Sequence, residues 1–247
     1  MELFYHLGRY YLMLKLVFKR PEKWSIYFSQ IVKEIDSIGI SSIGIVAILS
    51  VFMGAVICIQ TAFGVDGAAW MPLYAVGFTA RESIILEFSP TIISLILAGK
   101  VGSHISSELG TMRVTEQIDA LEIMGVNSAG YLIFPKIIAA IFIFPFLIIM
   151  SMALGLFGGW FIGVSTGAVT SYEYIYGIQY DFHPFNVAYA LIKTVFFAFI
   201  IISVSAYCGY YTKGGALEVG KSSTKAVVYS SIAVLLVNLL LTQLILG

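Results

Sequence analysis

Five apolar stretches, at residues 40–63, 83–101, 137–163, 185–208 and 226–246, constrain this chain more than any other feature. Each is near the roughly 20 apolar residues that a helix needs to cross a bilayer. Inside a bilayer the backbone must satisfy its own N–H and C=O groups, so the runs read as spanning helices. Composition agrees, because charged residues are 11% of the 247 and hydrophobic ones 59%, where a soluble domain carries about 25% charged. Little chain is left for a folded soluble domain, so any energy-coupling enzyme is expected in another chain. Zero net charge, with no basic run longer than Lys19-Arg20, excludes a nucleic-acid footprint. Cys58 and Cys208 are too few for a disulfide framework and read as small buried residues.

Ahead of the first run, Phe4, Leu7, Tyr11, Leu14 and Phe18 recur at helical spacing, and after Pro21 so do Trp24, Phe28, Ile31, Ile35 and Ile38. Arg9, Lys15, Lys23, Lys33 and Glu34 occupy the other faces. The pattern predicts two amphipathic helices in the headgroup region, separated at Pro21. A helix packed on a cytosolic partner is the alternative. Arg9, Lys15, Lys19 and Arg20 break any apolar core of a cleavable signal peptide, so the arm is expected on the mature protein.

Lysine and arginine counts set the expected orientation. The arm, the second-to-third connection (Lys100, Arg113, Lys136) and the fourth-to-fifth connection (Lys213, Lys221, Lys225) hold twelve cations, and the opposite face holds Arg81 alone. The N-terminus is therefore expected in the cytoplasm and the C-terminus outside. In the third run, Gly155, Gly159, Gly163 and Gly167 put bare backbone along one helix face, which predicts close helix packing. Pro90 and Pro145 fall within spans and are expected to kink them.

Two sequence motifs suggest catalysis out of context. Residues 215–222, Gly-Ala-Leu-Glu-Val-Gly-Lys-Ser, match the phosphate loop G-x-x-x-x-G-K-[ST], but that chemistry needs a strand before the loop and an acidic strand for Mg²⁺, and here a span lies on either side. Residues 163–167, Gly-Val-Ser-Thr-Gly, match the nucleophile elbow, with His183 expected on the same face. An intramembrane serine hydrolase using Ser165 therefore stands as an alternative function. No Cys/His cluster or H-E-x-x-H suggests a metal.

Charges within spans are costly and mark function by default. Glu87 lies near the outer end of the second run, and Lys193 lies about two turns into the fourth. In the orientation above they share a depth, so they can pair, or can face a cavity and meet a zwitterionic headgroup. Gln60, at the outer end of the first run, is placed to join them. An ion-coupled secondary transporter using Glu87 and Lys193 is a second alternative. Between the second and third spans, Thr115 is expected to cap a short helix that carries Glu116, Gln117 and Asp119 in its first turns and stops at Gly125. Ile118, Leu121 and Met124 or Ile123 give it an apolar edge, and Glu116, Asp119 and Glu122 an acidic one, a pattern suited to docking on another protein.

The stretch Glu108-Leu-Gly-Thr-Met-Arg-Val-Thr-Glu-Gln-Ile-Asp-Ala-Leu-Glu-Ile-Met-Gly125 resembles the signature of the MlaE/YrbE-type permeases, membrane subunits of ABC systems that move lipids with MCE proteins. Glu87-Phe-Ser-Pro90, Leu97-Ala-Gly-Lys-Val-Gly-Ser103 and Gly220 to Val228 resemble the same family, so the likeness runs from about Ser41 to the C-terminus. It implies a homodimer, cytosolic ATPase subunits docked under Glu116, Asp119, Leu121, Glu122 and Gly125, and a periplasmic ring of MCE subunits. It also places a lipid pocket at Glu87 and Lys193, although Leu86 stands where many members have Arg, and Lys100 where Arg is usual.

The expected protein is an all-α integral membrane protein of the bacterial inner membrane: an amphipathic interfacial arm, 1–38, then a five-span permease domain, 39–247, with a cytoplasmic coupling loop at 102–130. It would move phospholipid or a related lipid to or from an MCE protein. It would hold no cofactor of its own, ATP and Mg²⁺ being bound by the partner ATPase.

Overall fold

The computed structural model describes residues 2–19, 24–66 and 71–246, and every described regular element is helical. Among the described residues five helices are long and apolar enough to cross a membrane: Tyr27–Val65, Tyr74–Val114, Ser128–Ser165, Pro184–Tyr210 and Ala216–Ile245. In chain order, α1 is Glu2–Val17 and α2 is Trp24–Ile35, which passes through a π-helical turn, Asp36–Ile40, into α3, Ser41–Asp66. The second span is assembled from α4 (Tyr74–Ser83), a π stretch (Ile84–Ile92), α5 (Ile93–Leu97), a second π stretch (Ala98–Gly102) and α6 (Ser103–Val114). Then follow α7 (Gln117–Ile123), α8 (Ser128–Ser165), α9 (Ser171–Gln179), α10 (Pro184–Tyr210) and α11 (Ala216–Leu246).

The second amphipathic helix is thus not separate from the first span. Residues 35–41 contain no proline, and the π-helical turn, which includes Gly39, absorbs the change of phase without ending the helix. Arg20, Pro21 and Lys23 lie outside the described residues. Pro90 sits in the first π stretch, whereas Pro145 lies within the uninterrupted α8.

The chain forms two compact units, Met1–Ser41 with Leu95–Phe144 and Val195–Gly247, and Ser42–Ser94 with Pro145–Thr194. In the first, Lys136 is buried and donates to Glu34 Oε1 and Glu108 Oε2, both at 2.7 Å. Lys100 donates to the Ser41 carbonyl. Helix α1 turns Met13 and Val17 inward and is fastened by Tyr10 to Ser203 (2.7 Å), His6 to Tyr207 (2.7 Å) and Asn127 to the Leu16 carbonyl (2.8 Å). Burial raises the Tyr10 phenol above its usual pKa, so the Ser203 contact joins two neutral hydroxyls. Phe4, Leu7, Tyr11 and Phe18 of the predicted apolar face are exposed, the arrangement an interfacial helix needs.

In the second unit, α3 and α8 meet backbone to backbone. A Cβ on Gly54 would come within 1.8 Å of the Gly155 carbonyl oxygen, and one on Gly158 within 2.3 Å of that of Val51. Gly159 and Gly163 leave room for the Tyr174 hydroxyl and the Cys58 sulfur. Gly167 departs from the repeat. It has a positive φ of 72° and ends the helix rather than packing it. Helix α9 opens on a capping box, with Thr170 accepting from the Glu173 backbone N–H while the Glu173 carboxylate accepts from that of Thr170. Its far end is held by Arg81, which is 1% exposed and donates to the carbonyls of Ile178 (2.7 Å), Tyr180 (2.8 Å) and Asp181 (3.3 Å) and to Glu82. Those carbonyls lie at the negative end of α9, where a cation is favourable.

Candidate functional site: a carboxylate held at a cavity

The site begins with Pro90. Proline has no N–H, so in an α-helix it would leave the carbonyl four residues earlier, Leu86, without its donor, and its ring would clash with that carbonyl. Here the turn is widened into the Ile84–Ile92 π stretch, and Lys193 of α10 donates to the Leu86 carbonyl at 3.3 Å. The same ammonium donates to Glu87 Oε1 at 2.8 Å and stands 4.7 Å from the centroid of the Tyr189 ring. Thr91, one helical turn on, donates to Glu87 Oε2 at 3.0 Å. Both oxygens of the carboxylate are thereby oriented. A buried ammonium is tolerated because a carboxylate, a carbonyl and an aromatic face surround it.

The two charges differ in access. The Lys193 side chain is 0% exposed and that of Glu87 49%. Glu87 lines a cavity of about 600 Å³ together with Gln60, Thr61, Thr79, Ser83 and Phe88, a volume within the usual range for ligand pockets. Of the three sequence candidates, Glu87 and Gln60 therefore reach the cavity, while Lys193 positions Glu87 from behind. The remaining wall includes Ile57, Gly64, Val65 and Met71, so among the described residues one carboxylate and a few neutral polar groups face an otherwise apolar space. That arrangement suits a ligand with a cationic group and an apolar body.

The short helix after the second span is present as α7, but its start differs from expectation. Thr115 terminates α6, and its hydroxyl donates back to the Thr111 carbonyl at 2.8 Å instead of capping α7. Glu116, with a positive φ of 60°, makes the joint between the helices. Ile118 is buried, Asp119 pairs with Arg113 at 2.7 Å, and Glu122 accepts from Ser128 (2.8 Å) and Tyr210 (2.9 Å). Glu116 projects, as do Ile123, at 86% exposure, and Met124, at 68%. Leu121 is half-buried, and Gly125, with φ 79°, closes the turn. The acidic edge is therefore split: Asp119 and Glu122 fasten α7 to its own unit, and the outward surface is largely Glu116, Ile123 and Met124.

The sequence profile of the family described as permease MlaE matches residues 31–244. The chain is similar to a probable ABC transporter permease protein of Rickettsia bellii, 39% identical over 219 residues, which cover 89% of this chain and 84% of the relative. This chain belongs to the MlaE permease family. It is also similar to the intermembrane phospholipid transport system permease protein MlaE of Haemophilus influenzae, 29% identical over 223 residues, covering 90% of this chain and 84% of that one.

In this MlaE-family permease neither catalytic motif has catalytic geometry. The phosphate-loop match is helical from Ala216 onward as the first turns of α11. Lys221 pairs with Glu218 at 2.6 Å, and Ser222 donates to the Cys208 carbonyl at 2.6 Å. Ser165, at the end of α8, donates to the Phe161 carbonyl at 2.6 Å, and His183 Nε2 lies 3.3 Å from Asp181 Oδ1. No Ser165–His183 bond joins them among the described residues.

Sequence reasoning missed helix α9 and the Arg81 clamp. The first was readable from Thr170-Ser-Tyr-Glu173, which has the capping-box spacing. The clamp left no local signal, because Arg81 and its acceptors are about 100 residues apart in sequence.

Proposed function

We propose that this permease is the membrane subunit of an ABC transporter that carries phospholipid, or a related lipid, between the inner membrane and an MCE protein. Separate cytosolic subunits hydrolyse ATP, and this chain contributes no catalytic group. The observation that carries the reading is the Glu87 carboxylate, oriented by Lys193 and Thr91 at the wall of a largely apolar cavity. Such a wall favours a zwitterionic headgroup: the ammonium meets Glu87, Gln60 and the Thr79 and Ser83 hydroxyls are placed for polar headgroup atoms, and the acyl chains meet Ile57, Val65 and Phe88. Membership of the MlaE family and the name of the Haemophilus relative support lipid as the cargo.

Energy enters through α7. In this reading Ile123 and Met124 seat in the ATPase with Glu116 beside them, while Asp119 and Glu122 transmit its movement to Arg113 and to the α8 and α10 ends. Two copies of the chain form the translocation path, with the N-termini and α7 in the cytoplasm and the C-termini and the MCE ring outside.

The test is purification of the tagged chain in native nanodiscs, with mass spectrometry of the accompanying proteins and lipids. An ATPase and an MCE protein in fixed ratio, and phospholipid lost in Glu87→Ala, are expected. Lipid movement by the chain alone, without ATP, would overturn the reading.

A further inference from the structure

A second cavity, of about 700 Å³, lies within the first unit between α1, α10 and α11 and plays no part in the reading above. Its lining is sorted by chemistry. Arg9, Lys213, Lys221 and Lys225 gather where α10 ends and α11 begins, against the single carboxylate among the described lining, that of Glu218. Arg9 is held there with its guanidinium carbon 3.9 Å from the centroid of the Tyr211 ring. Farther along the same two helices the lining becomes Ile200 and Val204 on α10 and Ala233 and Val237 on α11. At 1.5 Å per residue, Lys221 and Val237 are about 24 Å apart along α11. Tyr207, Tyr211 and Tyr229 also line the cavity, and tyrosine rings suit the level between headgroups and acyl chains.

A free anion would use only the cationic end, and an apolar peptide only the other. The whole groove fits one amphiphile whose anionic headgroup sits at the helix termini and whose chain runs into the span. Lys221 is matched by Glu218, leaving a surplus of positive charge that a zwitterionic headgroup would not neutralise. We propose that this groove binds one anionic phospholipid, which bridges α1 to α10 and α11 as a resident lipid distinct from the transported one. The inference needs the spans and the lining, and it does not depend on Glu87 or on ATP.

The experiment places the purified full chain in phosphatidylcholine nanodiscs with a trace of phosphatidylglycerol carrying a photoreactive acyl chain, and maps the labelled peptides. Labelling around Val204, Ala233 and Val237 is expected, displaced by unlabelled phosphatidylglycerol and not by more phosphatidylcholine or by inorganic phosphate. Lys213→Gln and Lys225→Gln should each weaken it about fivefold, the scale expected for one basic residue at an anionic surface. Equal labelling by a phosphatidylcholine probe would reduce the groove to general lipid contact, and displacement by inorganic phosphate would make it a free-anion site; either overturns the proposal. A photoreactive phosphatidylcholine probe labelling near Met71 and Phe88 reports the other cavity, so failure of one assignment is distinguishable from failure of the other. Retained labelling there also shows that a variant has folded.

Discussion

Lys136 and Lys193 are both buried lysines, but Lys136 meets two carboxylates, Glu34 and Glu108, whereas Lys193 meets Glu87, the Leu86 carbonyl and the Tyr189 ring. Around Lys136 the buried cation is shared by two partly exposed carboxylates and ties three helices of one unit together. Around Lys193 the cation is fully enclosed while its carboxylate stays half-exposed at a cavity. The contrast separates two uses of a buried ion pair: one spends the cation on joining helices, and the other spends it on aiming an anion.

Substitutions can break that contrast. The largest loss of stability is expected for Lys136→Met, which leaves two like-charged carboxylates, Glu34 and Glu108, facing each other without their cation; removing one partner of a buried pair costs about 3–5 kcal/mol, and the lower end applies here because both carboxylates reach solvent in part. Thermal unfolding in detergent measures it, and lipid retention in whatever fraction stays folded should be normal. Lys193→Met should cost less, about 2 kcal/mol, because Glu87 can be hydrated from the cavity, yet it should abolish lipid retention. Adding Glu87→Gln to it should restore most of the stability without restoring lipid. Equal stability losses for the two lysines, or rescue of lipid binding by the double variant, would dissolve the distinction.

Smaller effects sharpen it. Pro90→Ala returns an N–H near the Leu86 carbonyl, competing with Lys193 and letting the helix narrow. Unfolding should become harder by about 1 kcal/mol while lipid retention falls, and unchanged retention would make the Lys193–Leu86 contact incidental. Thr91→Val removes one donor to Glu87 and should cost about 0.5–1 kcal/mol, seen as modestly faster lipid loss in a wash series.

The spans were legible in the sequence because hydropathy over about 20 residues depends on no other part of the chain. Glu87 and Lys193 were legible as candidates because charge in a span is rare, and Gln60 because it sits at the end of one. Their unequal access was not, since it depends on how α10 turns Lys193 behind the second span. Pro90 announced an irregular turn, but a proline is compatible with a kink or with a widened turn, and only packing chooses between them. Thr115 looked like a cap by residue type. Glu116 takes the left-handed joint instead, a conformation that residue types other than Gly, Asn and Asp seldom signal. The Lys136 cluster joins residues 28 and 102 positions away, beyond any local pattern.

The contact between α3 and α8 also bears on motion. Helices normally interlock through ridges of side chains that act like gear teeth and fix their register. Where Gly54 meets Gly155 and Val51 meets Gly158, the apposed surfaces are bare backbone. At those two positions the contact is closer to a smooth rail, so shear, the small sliding of packed helices, is resisted not by interlocked ridges but by the Ser50–Ser151 hydrogen bond and the Cys58 side chain seated at Gly163.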